Sequence, residues 1–293
     1  SIYLDPYVTE EYLTYTFGDS KGFYDDTSTE LTHCQKREFY KNGYLKIPGA
    51  VPQLMVDAAR HAINYTIGQG EKNPFPELSR AAVITDLFNK TPIFSLLESA
   101  LGTGNLFPCK NGSITLKYPM PVGAPINESH QILTKAIGWG RSGGHLDGLK
   151  AVGDRLRGLK KDGTYNRGFT AFAVVYLNKV PKPYCGNFTV WPESHRVFEQ
   201  HFIEHGHEIL DDHMPHVVMP EPPIHITGDP GDVVLAHHQL VHTGAPNISS
   251  NIRYAVIFRS KGILCEEVGF DAFTDIWKEW DGIREVIHKA RSN

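Results

Sequence analysis

Two apolar runs near the C-terminal end organise the chain. Val233, Val234 and Leu235 follow the turn signal Asp229-Pro230-Gly231, and residues 254–258 form a second run rich in β-branched and aromatic side chains. Both predict buried strands. Between them Gly244-Ala245-Pro246-Asn247 permits a tight reversal, which sets His242 near the end of one strand and Arg253 near the start of its neighbour. Residues 169–177 (FTAFAVVYL) are nearly all apolar and β-prone, the pattern of a central strand buried on both faces. Shorter strands are expected at 44–47, 113–118 and 186–192, and residues 137–145 lead toward a further extended stretch.

Helical spacing appears in between. From Thr32 the residues favour a helix that stops at Asn42-Gly43. Residues 52–67 place Leu54, Val56, Ala59 and Ile63 on one face, an amphipathic helix lying on a sheet, and 68–79 read as loop. Residues 91–101 predict a helix capped by Thr91 with Pro92 in its first turn. A short helix is expected over 194–203. At the C-terminus, Phe273, Ile276, Trp277, Trp280, Ile283 and Ile287 predict one helix over about 270–289, docked through two tryptophans. Residues 1–34 are polar and turn-rich, an N-terminal extension packed on the domain, with 7–17 as a short helix. No repeat or linker divides the rest, so 35–293 is read as a single domain. Its strands with long connections favour a mainly β fold, a double-stranded β-helix (jelly-roll, cupin-like) barrel with helices packed outside.

Composition narrows the picture. At 293 residues and 41% hydrophobic content the chain can bury a sizeable core, and a formal net charge of -4 argues against a nucleic-acid binder. No run of 18 apolar residues exists, so no membrane span is expected, and no apolar signal segment opens the chain. Cys34, Cys109, Cys185 and Cys265 form no C-x-x-C, which fits reduced thiols in a cytoplasmic enzyme. Against that stand six N-x-S/T sequons, at Asn64, Asn89, Asn111, Asn127, Asn187 and Asn247, which make the secretory pathway the alternative. Residues 148–168 carry Lys150, Arg155, Arg157, Lys160 and Lys161 against Asp154 and Asp162, with several glycines. Such a segment is too polar for core and too long for a hairpin, a candidate lid whose positive charge could attract an anionic substrate, although a charge run of this kind is more often a solvated surface.

The chemistry lies in four residues. His145 and Asp147, two apart, point to the same side of an extended strand. With His242 they give two histidines and one carboxylate, the set that holds non-haem Fe(II) on one face and leaves positions open for substrate and oxygen. Any one of them alone would be read as a structural histidine or a turn aspartate; their joint order is what points to a metal. His237 and His238 fall on opposite faces of their strand and are read as structural. The six histidines between His195 and His216 lack the cysteines or matched second pair that zinc would need.

The pattern H-x-D, a long interval, then H with R eleven positions later resembles the phytanoyl-CoA dioxygenase family of Fe(II)- and 2-oxoglutarate-dependent oxygenases. Residues 35–48 (QKREFYKNGYLKIP) are similar to that family's opening helix and strand, and 186–195 (GNFTVWPESH) to its G-x-L-x-x-x-P-G-S-H segment, so the likeness runs from about 35 to 260. The resemblance implies Fe(II) bound by His145, Asp147 and His242. It also implies 2-oxoglutarate as co-substrate with its far carboxylate on Arg253, and O2-driven hydroxylation of a small molecule with release of succinate and CO2. Where the family often has a serine two positions after the distal histidine this chain has Gly244, which leaves Thr243 as the nearest hydroxyl for the keto acid. Glu193 stands where the family's glycine turns. The rival reading is a catalytically silent barrel that only binds a ligand. Substrate identity and oligomeric state have no sequence signal.

Overall fold

The computed structural model describes residues 29–70, 75–124, 135–136, 144–147, 160–162, 167–206 and 217–291. In chain order the elements are α1 (His33–Asn42), β1 (Tyr44–Ile47), α2 (Gln53–Gly68), α3 (Phe75–Leu78), α4 (Ala82–Asn89), α5 (Pro92–Leu101), β2 (Ser113–Lys117) and β3 (Lys135–Ala136). They continue with β4 (Ala171–Tyr176), β5 (Phe188–Val190), α6 (Ser194–His205), β6 (Val217–Val218), β7 (Ile224–His225), β8 (Val233–His237), β9 (His242–Gly244) and β10 (Arg253–Ser260). The chain ends with α7 (Cys265–Val268), a 3-10 turn at Gly269–Phe273 and α8 (Asp281–Arg291).

Five strands form an antiparallel sheet in the order β1-β8-β4-β10-β2, and three short ones form a second sheet, β7-β5-β9. The all-apolar run β4 is the central strand of the larger sheet, buried along its whole length. Because side chains alternate along a strand, the larger sheet has two buried faces. One, with Ala173, Val175, Val256 and Phe258, packs under the helices together with Val56, Ile63, Leu87 and Leu97. The other, with Phe172, Val174, Val234 and Ala255, packs against Phe188 and Val190 of the smaller sheet. The candidate chemistry sits on this second face.

The first helix follows its sequence signals closely. Thr32 accepts from Gln35 N–H at 3.2 Å while Gln35 returns a bond to Thr32 N–H at 2.9 Å, a complete capping box, and Gly43 ends the helix at φ 77°. Elsewhere tertiary contacts correct the periodic reading. In α2 it is Met55, not Leu54, that turns inward, and 68–79 contains the short helix α3. Thr91 stands at the N-cap of α5 with Pro92 in the first turn, but its side chain makes no capping bond; the hydroxyl donates backward to Leu87 O at 2.8 Å. The expected C-terminal helix is broken: residues 274–280 are turns, and Trp277 and Trp280 meet Phe39 at 5.9 and 5.2 Å between rings, so helical continuation gives way to packing on α1. Residues 137–143 of the stretch leading to His145, the expected helix at 7–17 and nearly all of 148–168 lie outside the described residues. Among the described residues no helix is long and apolar enough to cross a membrane. Asn187 and Asn247 are buried with their side-chain amides bonded to Ile226 O and Lys117 O, so neither sequon is open to a glycan.

His195, His237 and His238 are fully enclosed between the larger sheet and the C-terminal turns. His237 donates from Nε2 to Ile276 O at 2.9 Å and accepts at Nδ1 from Gln239 N–H at 3.1 Å, which fixes it as neutral. His195 reaches Tyr40 O at 3.0 Å, and His238 faces the Arg167 guanidinium, itself paired with Glu279. Burial lowers all three pKa values, that of His195 to about 3; His195 adds to the effect on His237, and Arg167 to that on His238. The unfolded chain takes up these protons first as pH falls below about 6.5. Stability is therefore full above that pH and is lost on the way down toward pH 3. Three such groups give a slope approaching about 4 kcal/mol per pH unit. The urea midpoint is expected to fall steeply between pH 7 and 5, and His237→Gln to remove one proton from the slope. A midpoint that stays flat over that range would mean that the three histidines titrate normally.

Candidate metal centre

His145, Asp147 and His242 come together across about a hundred residues of intervening chain. His145 and His242 exchange two backbone hydrogen bonds, N–H of each to the carbonyl of the other at 3.0 and 3.1 Å. In an antiparallel pair such partners carry their side chains on the same face. Their rings lie 4.6 Å apart, and one ligand atom from each of His145, Asp147 and His242 falls within 4.8 Å of the others. Asp147 Oδ1 is 3.5 Å from His145 Nε2, and Oδ2 is 3.7 Å from His242 Nε2. Gly144 makes this approach possible. A Cβ there would lie 2.3 Å from Val241 Cγ1 and 2.7 Å from Trp191, so a larger residue would push His145 out of register.

The protonation states suit a cation. His242 donates from Nδ1 to Leu240 O at 3.0 Å, which leaves the Nε2 lone pair facing the cluster. Its ring is held beside Phe172 and Phe188, at 4.7 and 5.4 Å. Burial, followed by the neighbouring His242, pushes the His145 pKa down and favours the neutral imidazole. Burial alone would raise the Asp147 pKa, but His145, His242 and Arg259 outweigh it and hold the carboxyl well below its usual range. Two imidazoles, one with its Nδ1–H already committed, and an ionised carboxylate are thus presented on one side of a common point, a donor set that fits a divalent first-row metal.

Arg253 opens β10 in the larger sheet, whereas His242 opens β9 in the smaller one. The two are not on neighbouring strands, because the chain crosses between sheets at 238–241. Arg253 is 8% exposed; its Nε donates to Gly186 O at 2.7 Å, and Nη1 to Thr115 O and Oγ1 at 3.0 and 2.9 Å. All three acceptors are uncharged. Lys117, cross-strand from Arg253, turns to the same place: a Cβ built on Gly244 would lie 3.8 Å from both Arg253 Nη2 and Lys117 Nζ. Burial and then Arg253 lower the Lys117 pKa, and burial lowers that of Arg253. Burying a cation without a counter-charge costs several kcal/mol, so two cations converging on one point make a ready anion site. Gly244 lies two residues from His242 on the same face of β9, about 7 Å along the strand.

Thr243 is not brought to this point. Strand alternation sets it on the opposite face, in register with Thr189, whose hydroxyl meets His225 Nδ1 at 3.3 Å. Sequence reasoning missed Lys117 and Arg259. The signal for Lys117 was the polar alternation of Ser113, Thr115 and Lys117 on an otherwise apolar strand; Arg259 lies six residues after Arg253 and so shares its face. The 186–195 segment also acquires roles: the Gly186 carbonyl holds Arg253, and Ser194 Oγ accepts from Val241 N–H at 2.9 Å, steadying the crossing that delivers His242. Glu193 adopts the left-handed φ of 64° that a glycine would take without strain.

No family profile and no curated protein matches the sequence. Among solved structures, the chain is similar to the non-heme alpha-ketoglutarate-dependent carbocyclase SnoK from nogalamycin biosynthesis, with 17% identity and a TM-score of 0.50 over 78% of this chain and 83% of that one. HygX from Streptomyces hygroscopicus, solved with nickel and 2-oxoglutarate bound, aligns at 17% identity and a TM-score of 0.49, covering 80% and 88% of the two chains. The likeness to the carbocyclase is one of fold.

Proposed function

We propose that this chain is an Fe(II)- and 2-oxoglutarate-dependent dioxygenase acting on a small molecule. In this reading it is a one-domain double-stranded β-helix, with His145, Asp147 and His242 holding the metal and Arg253, with Lys117, holding the far carboxylate of the keto acid. The observation that carries the reading is the pairing of two sites on one inter-sheet face. Two imidazoles and a carboxylate offer donors within 4.8 Å of one another, and the buried Arg253 with the partly buried Lys117 borders Gly244, two residues from one of them. A short dicarboxylate can bridge that interval, and a guanidinium fork suits its far end better than an ammonium does. The fold shared with an alpha-ketoglutarate-dependent carbocyclase supports the same reading.

The bound metal supplies oxidative decarboxylation of the keto acid to succinate and CO2, coupled to oxidation of the second substrate. The protein's part is to orient. Leu240 O fixes the His242 tautomer, Phe172 and Phe188 exclude water around its ring, and Gly186 and Thr115 hold Arg253 in plane. A carboxylate is present at Asp147, which favours hydroxylation over halogenation. Protein loaded anaerobically with Fe(II) and 2-oxoglutarate and then exposed to O2 is expected to form succinate slowly even without the second substrate. Metal binding with neither keto-acid binding nor succinate would leave a ligand-binding barrel instead.

A further inference from the structure

On β10 the inter-sheet face carries Arg253, Ala255, Ile257 and Arg259 in alternation, so a second arginine stands on the row that begins with the anion site. Arg259 reaches the Asp147 carboxylate. Its Nε donates to Oδ2 at 3.0 Å, its Nη2 donates to the same oxygen, and Nη1 donates to Ser113 Oγ at 3.2 Å, which braces the fork against β2. The pair is unequal in exposure, 39% for the arginine side chain and 12% for the aspartate. An ion pair with one exposed partner contributes little to stability, so stability alone does not account for placing it on this carboxylate.

Each carboxylate oxygen offers about two lone-pair sites. Two N–H groups from one guanidinium fill those of Oδ2, while Oδ1 takes none of them and faces His145 Nε2 at 3.5 Å, on the side of the histidine donors. A carboxylate bound through both oxygens would take one of the positions that a two-histidine, one-carboxylate site must keep open. We infer that Arg259 is a positioning residue that restricts Asp147 to one-oxygen ligation, so that the keto acid and oxygen find their positions vacant. The inference rests on the metal site proposed above and adds a role for a residue outside it.

The test counts coordinated water. Mn(II) is bound to the whole protein without keto acid, and the relaxation of solvent protons per bound ion is measured for wild type, Arg259→Ala and Arg259→Gln. Both variants are expected to keep Mn(II), since the guanidinium is not a ligand, but to show relaxation lower by about one third, one water in three being displaced by the freed Oδ2. The glutamine variant keeps the aliphatic stem and serves if the alanine variant unfolds. Unchanged relaxation in the folded variants overturns the role of Arg259 and leaves the metal site standing. Loss of Mn(II) from variants that still unfold cooperatively also overturns it. Absence of Mn(II) binding in the wild type would instead remove the proposed function.

Discussion

His242→Ala is expected to abolish Fe(II) binding while leaving the chain folded. The ring is one of three donors, and its neighbours give it no freedom: the Leu240 carbonyl fixes Nδ1, and two phenylalanines hold the plane. Changing the outer partner of a metal-bound histidine commonly lowers affinity about 10- to 100-fold, so removing the donor itself should exceed the top of that range. The substitution also leaves a buried cavity, a loss of about 2–4 kcal/mol by analogy with other large-to-small changes. His242→Gln, which fills more of the space, controls for that loss. Anaerobic calorimetry with Fe(II) or Mn(II), beside a thermal melt, reads both effects. Full-strength binding by the alanine variant would take His242 out of the site.

Arg253→Ala should weaken 2-oxoglutarate by roughly 30- to several-thousand-fold, about 2–5 kcal/mol, because it removes one partner of a buried charge-assisted pair. Lys117 remains as a second cation at the same point, which favours the lower part of that range. Arg253→Lys keeps charge but loses the fork and its bond to Gly186 O, so it should fall between the alanine variant and wild type. Metal affinity should stay nearly constant in both. If Arg253 serves only to tie Gly186 to Thr115, the alanine variant will melt earlier but bind the keto acid as wild type does. Titration of 2-oxoglutarate into Mn(II)-loaded protein separates the two cases.

The parts legible in the sequence were those set by local physics. The capping box at Thr32 and Gln35, the stop at Gly43, the apolar run of β4 and the H-x-D spacing each depend on residues a few positions apart. What was not legible depends on partners far along the chain. The apolar pattern around residue 235 gives no hint that the strand ends at His237, because that is decided by the bond that Val241 N–H donates to Ser194 Oγ and by the bond of His237 Nε2 to Ile276 O. The helical spacing of Trp277 and Trp280 was real, yet both side chains go to Phe39 and His237, and the backbone follows them into turns. Lys117 and Arg259 were invisible as site residues for the same reason. One is defined by strand pairing and the other by a carboxylate 112 residues away.

The placement of the indole rings makes this molecule its own optical instrument. Trp277 and Trp280 lie 4.9 and 5.3 Å from the His237 ring, and Trp191 lies where a Cβ on Gly144, the residue before His145, would touch it. An imidazolium quenches a nearby indole, and so does a paramagnetic ion. Emission from the first two therefore reports the acid-sensitive layer beneath the helices, and emission from the third, which packs with Leu146 and Val241 in a cluster of its own, reports the surroundings of the metal ligands. With the fourth tryptophan, Trp139, replaced by Phe, Trp191→Phe would silence one channel and leave the other readable, so that proton uptake and metal loading can be followed without a label.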